Sequence, residues 1–133
     1  YYRGTACNFW PLYDGAPEYV GATIHLLSRG LDSGPMLFHA LPEIGSDDVV
    51  DGFQLGMRAV KAAFDNLIPV IRSGRLHEMP RVEQDRTREI RYTRNRDFTD
   101  EIAAEYLAIL PSPEALRDRI VDRRPSDFIL LDP

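Results

Sequence analysis

Asp32 stands between two glycines in Gly30-Leu31-Asp32-Ser33-Gly34, and it follows a β-branched stretch, Gly21-Ala22-Thr23-Ile24-His25-Leu26-Leu27-Ser28. A carboxylate on a glycine-flanked turn does little for packing, and loops raised on a rigid strand are where catalytic groups tend to sit. The competing account is a turn aspartate that satisfies nearby backbone amides. His25 is the one polar side chain expected to point inward from that strand, where it is either a satisfied core group or a partner for a nearby carboxylate. The other histidines, His39 and His77, are isolated, so the three together give no metal-ligand spacing, and no metal is expected. Arg81 to Arg96 form an arginine-rich segment suited either to a solvated loop or to holding a phosphate or carboxylate.

The elements that must position these groups follow from pattern. Residues 20–28 and 36–42 read as two strands, and the short 30–34 connection makes them a hairpin, so the sheet holds at least one antiparallel pair. Residues 5–13 predict a short helix capped by Thr5, with Ala6, Phe9, Trp10 and Tyr13 on one face and a distortion at Pro11. Burial alone accounts for Trp10. Ser46-Asp47-Asp48 predicts a helix start. Val49, Val50, Phe53, Met57, Val60, Phe64, Leu67, Ile68 and Ile71 then recur at three- and four-residue spacing, an amphipathic helix of about seven turns that ends at Gly74 and kinks at Pro69. Gly52 and Gly56 are either points of close backbone approach or tolerated helix glycines. Residues 75–96 have no clean period and are expected to be mostly loop, with a short strand over 89–93. Asp97 or Thr99 caps a helix through Leu110, Pro111-Ser112-Pro113 breaks it, and a short helix over 114–121 precedes a tail from Pro125.

Composition sets the outer bounds. With 133 residues, 44% hydrophobic and 28% charged, the chain is one domain or part of one, with enough apolar material for a core. Apolar runs fall far short of a membrane span, and no secretory leader is seen. A lone Cys7 excludes an internal disulfide and reads as a small buried hydrophobe; a reducing, cytoplasmic compartment is expected. The net charge of −5 disfavours nonspecific nucleic-acid binding. Charge is nevertheless uneven: residues 72–96 carry eight arginines against four acids.

Tyr2-Arg3-Gly4, Trp10, Asp14-Gly15, the strand Thr23-Ile24-His25 and Leu31-Asp32-Ser33-Gly34-Pro35 together resemble the catalytic domain of the 10-formyltetrahydrofolate-dependent formyltransferases, the family of methionyl-tRNA, glycinamide-ribonucleotide and sugar-amine formyltransferases. The likeness covers residues 1 to about 76. It implies an α/β fold: residues 1–76 as the C-terminal part of a doubly wound, Rossmann-like catalytic domain, and residues 77–133 as an arginine-rich loop with a helical extension. The chain is accordingly expected to be the C-terminal part of a longer polypeptide. The resemblance makes Asp32 the catalytic carboxylate that accepts or relays the proton of the attacking amine, with His25 bracing it. Leu27, Ser28, Arg29, Gly30 and Leu31 become the loop whose backbone holds the pterin of 10-formyltetrahydrofolate. Tyr2, Arg3 and Gly4 flank the substrate. Arg29 departs from the acidic pair many relatives carry there. The family's oxyanion donors, an Asn and a His, precede the Tyr-Arg-Gly motif.

Lys61, Phe64 and Asp65 stand where glycinamide-ribonucleotide members place an acidic residue before the helix proline, and too few residues follow Gly74 for the extra domain of methionyl-tRNA members. A small amine acceptor, such as a nucleotide-linked amino sugar, is therefore expected. Alternatives are a formyltetrahydrofolate hydrolase, a methionyl-tRNA formyltransferase-like protein, and a non-catalytic interaction or RNA-binding module using the arginines. The long apolar face predicts association with a second copy or cover by further chain.

Overall fold

A computed structural model describes residues 1–131. The described residues form a mixed α/β fold with β1 (Tyr2–Gly4), α1 (Trp10–Tyr13), β2 (Ala22–His25), β3 (Met36–Ala40), α2 (Gly52–Arg72), β4 (Arg91–Thr93), α3 (Asp100–Ala108) and α4 (Pro113–Val121). β2 and β3 pair antiparallel, with Ala22 opposite Ala40 and Thr23 opposite His39, which bears out the expected hairpin. β1 pairs in parallel with β4, Tyr2 opposite Arg91 and Gly4 opposite Thr93. The strand from the irregular 75–96 stretch is thus the neighbour of the Tyr-Arg-Gly segment, and the remainder of that stretch is loop with short 3-10 turns.

Helix boundaries show where local chemistry overrides periodicity. α2 starts at Asp51 and not at Ser46: the Asp51 carboxylate accepts from the Gln54 N–H at 2.8 Å while the Gln54 side chain accepts from the Asp51 N–H at 3.0 Å, a reciprocal capping box. Ser46-Asp47-Asp48 lies in a preceding turn, where Asp48 receives the Gly45 N–H and the Arg58 guanidinium. The first helix is also shorter than expected. Ala6 sits at φ +56°, which breaks any helix starting at Thr5, and α1 spans only four residues. Thr99 and Ser112 cap α3 and α4 through their hydroxyls.

Of the residues that the apolar periodicity marked within α2, Leu67 packs against the core; the rest of the core face is formed by residues it did not mark. Leu55 and Ala59 pack with Leu12, Val20, Leu116 and Ile120; Ala62, Ala63 and Leu67 pack beneath Leu37, Phe38 and Ala40 of β3. Gly52 lets this face approach closely, since a Cβ there would lie 2.7 Å from both Leu12 Cδ1 and the Tyr106 hydroxyl; Gly56 has no such neighbour. The large residues of the predicted face, Phe53, Met57, Val60, Phe64, Ile68 and Ile71, lie exposed beside it. Trp10 is buried, as expected. No helix among the described residues is long and apolar enough to cross a membrane.

Candidate functional site

The Asp32 turn is built by its ends. The Leu26 N–H donates to the Pro35 carbonyl at 2.9 Å and closes the loop beyond β2, where the strand register is irregular between Ile24 and His25. Gly34 permits that closure, because a Cβ there would stand 1.8 Å from the Leu26 carbonyl oxygen. Within the loop the Ser28 and Ser33 hydroxyls lie 2.8 Å apart, and Ser28 also donates to the Gly30 carbonyl. Asp32 itself adopts φ +50°, left-handed backbone that aspartate tolerates better than most residues.

His25 ends β2 with its ring turned toward this carboxylate, Nε2 3.7 Å from Asp32 Oδ1. Its Nδ1 lies 2.9 Å from the Leu26 carbonyl, a partner that can only accept, so Nδ1 carries the proton. In the neutral ring Nε2 is then a bare acceptor; the protonated ring makes an ion pair with Asp32. At 3.7 Å the two groups are neighbours beyond hydrogen-bond reach at the cavity edge, with the Asp32 side chain 57% exposed and the His25 side chain 22%.

Both residues line a cavity of about 590 Å³ whose wall also contains Tyr2, Arg3, Gly4 and Cys7. Gly4 is held at φ +94° against β4, where a Cβ would meet the Thr93 carbonyl oxygen at 1.8 Å. Arg3 pairs with Glu89 at 3.0 Å. The Tyr2 phenol is pushed up by burial, reinforced by the Asp14 charge. Burial, then the negative charge of Asp32, also raises the Cys7 thiol, which donates to the Gly4 carbonyl. A thiol held protonated in this way is a poor nucleophile. Among the described residues no cluster of three metal-ligating side chains occurs.

Leu27, Ser28, Arg29, Gly30 and Leu31 do not line the cavity. They form its outer lip, with Leu27 and Leu31 almost fully exposed. None of their peptide N–H groups donates to another described residue. No family model matches this chain, and no curated protein matches it.

Much of the wall comes from residues that sequence reasoning did not single out. Val82 bridges to Met36 through two backbone hydrogen bonds of 2.8 and 2.9 Å, which carries Glu83, Gln84, Asp85 and Glu89 onto the cavity. Gln84 Nε2 donates to the carbonyls of Asp32 at 2.8 Å and Gly34 at 2.9 Å. Tyr1, Tyr19 and Phe128 form an aromatic floor with His39 at its edge. No periodicity or motif marks residues 82–89, so their place was not readable in advance. The arginines of the segment divide. Arg91 grips Asp14 with two hydrogen bonds of 2.9 and 2.5 Å and lies 4.7 Å over Trp10. Arg88 contacts the Tyr1 hydroxyl and ring and the Asp127 carbonyl. Arg81, Arg86 and Arg96 make no ion pair with another described residue.

Proposed function

We propose that the chain carries the proton-accepting half of a formyl-transfer centre, in which the formyl group of 10-formyltetrahydrofolate passes to the amine of a small acceptor. The observation that supports this most is convergence: Tyr2-Arg3-Gly4, His25 and Asp32, three of the segments on which the resemblance rests, meet on one cavity although they are spread over the first 32 residues, while Trp10 and Asp14-Gly15 lie off it. A volume of about 590 Å³ lies within the range of small-molecule sites. The unpaired N–H groups of residues 27–31 suit a ring held through main-chain contacts, the mode the resemblance implies for the pterin. The parallel pairing of β1 supports a doubly wound, Rossmann-like sheet as the wider frame.

The folate, when bound, supplies the formyl group. Asp32 takes the proton that the acceptor nitrogen loses as it attacks, N10 of the folate regains that proton as its bond to the formyl carbon breaks, and His25 in its protonated form pairs with the carboxylate. The oxyanion donors that the family sets before its Tyr-Arg-Gly motif are not among residues 1–133, so these residues alone are expected to show no transfer. Arg3 and Arg88, the guanidinium groups on the cavity wall, already face Glu89 and Asp127. A nucleotide-linked acceptor therefore requires one of them to change partner, whereas a small amine requires neither.

The test uses the full-length protein with 10-formyltetrahydrofolate and a panel of amino sugars and other small amines, following both formylated amine and free formate. Asp32→Asn is expected to leave folate binding intact and to lower kcat by about 10²-fold or more. Wild-type turnover by that variant would sink the assignment, and formate released without any acceptor would point to hydrolysis instead.

A further inference from the structure

Among the described residues, the only side chain from outside the 25–36 hairpin that hydrogen-bonds the Asp32 turn is Gln84. Its amide nitrogen reaches the carbonyl of Asp32 at 2.8 Å and that of Gly34 at 2.9 Å. Both partners can only accept, so both amide protons are engaged, and the orientation of the Gln84 amide follows from chemistry. The turn needs such a hold. Asp32 sits at φ +50°, a region most side chains avoid, and apart from the Leu26–Pro35 bond and the Ser28 and Ser33 hydroxyls the loop has no internal fastening. Gln84 is itself anchored from behind, because the paired backbone bonds between Val82 and Met36 fix the chain two residues earlier.

We propose that Gln84 is the positioning residue for the candidate catalytic carboxylate, locking the Asp32 turn so that its side chain faces the cavity beside His25. This rests on the role given above to Asp32. It also assigns the arginine-rich stretch, which the family likeness does not reach, a purpose distinct from phosphate capture: one of its uncharged residues sets the geometry of the reacting group. A carboxylate displaced by about 1 Å loses much of its proton-transfer efficiency.

The test compares wild-type full-length protein with Gln84→Ala and with Gln84→Glu, which keeps size and shape but removes both donors. Amide hydrogen exchange at Leu26, whose N–H closes the turn onto the Pro35 carbonyl, is expected to speed up by about tenfold or more in both variants, with exchange in α2 unchanged. Formyl transfer is expected to lose about tenfold in kcat with KM for the folate within about twofold, and Asp32→Asn combined with Gln84→Ala is expected to be no slower than Asp32→Asn alone. Unchanged exchange at Leu26, or a double variant in which the two losses multiply, overturns the proposal. Wild-type turnover by Asp32→Asn would instead remove the role of the carboxylate, and the exchange measurement would still report whether Gln84 holds the turn.

Discussion

The cavity side of the hairpin and the outward side of α2 are opposite answers to the same chain. Around Asp32 the constraints are polar and narrow: a left-handed residue, a glycine whose Cβ would collide with a carbonyl, and an amide bridging two backbone oxygens. Few large apolar groups are involved, and each position tolerates little change. Along α2 the outward stripe of Phe53, Met57, Val60, Phe64, Ile68 and Ile71 is large, apolar and between 40% and 77% exposed. The buried side of α2 is divided: Leu55 and Ala59 pack with Leu12, Val20, Leu116 and Ile120, and Ala62, Ala63 and Leu67 pack against β3. Size and hydrophobicity therefore do not tell which face of a helix its own domain uses.

The sharpest way to break that comparison is to truncate one residue on each face. Leu55 is fully buried among Leu12, Val20 and Ile120, and Leu55→Ala is expected to cost about 2–5 kcal/mol. Phe53 is 77% exposed, and in dilute, monomeric protein Phe53→Ala is expected to change stability by less than about 0.5 kcal/mol, although the larger side chain is removed. Urea unfolding of the two variants decides it. Equal losses would mean that the outward stripe is covered within the folded chain.

Element existence was legible in the sequence to a useful degree. The hairpin came from two β-branched runs around a short glycine-flanked connection, and α2, α3 and α4 from period and caps; the structure has all of them. What escaped prediction has physical causes. The start of α2 went to the reciprocal Asp51–Gln54 cap over the acidic Ser46 turn, since two mutual hydrogen bonds outweigh a favourable dipole position. The helix at residues 5–13 was cut short by a left-handed Ala6 that no local rule announces. In the candidate site, the Asp32 turn and the strand that ends at His25 were readable because turn chemistry and strand pattern are local. Gln84 was not, for its contact with Asp32 spans 52 positions and depends on the Val82–Met36 bridge.

A smaller effect is expected on association. Exposed stripe residues offer roughly 700 Å² of apolar surface per copy, close to what one side of a standard interface buries. Antiparallel pairing of two α2 helices sets Phe53 against Ile71, Met57 against Ile68 and Val60 against Phe64. It also brings the Lys61 and Asp65 charges, neighbours in one helix, across from each other between copies. A dimer is therefore expected at micromolar concentration, and Phe64→Lys is expected to weaken it by about tenfold or more while leaving the melting temperature of the dilute monomer unchanged. A wild-type chain that sediments as a monomer under the same conditions would show that the stripe awaits a different cover.

The smallest effect concerns the far edge of the cavity, where β3 meets the residues after Pro125. The His39 N–H donates to the Ile129 carbonyl at 2.6 Å, and His39 Nδ1 accepts from the Ile129 N–H at 2.8 Å. A ring nitrogen that accepts must be unprotonated, and burial, with nearby positive charge including Arg88, lowers the histidine from its usual 6.5 to about 4. Between these values the unfolded chain binds a proton that the folded chain refuses, so the folded state loses stability as pH falls through this window and regains it above about 6.5. Allowing for partial exposure of the ring, the loss between pH 7 and pH 5 is on the order of 1 kcal/mol. Protonation would also break the Ile129 bond, so the 125–131 strap is expected to loosen before the hairpin does. Urea midpoints measured at the two pH values in wild type and in His39→Gln, which keeps an acceptor but cannot titrate, check this. The variant is expected to show the shallower dependence, and parallel dependences would show that His39 is not the group responsible.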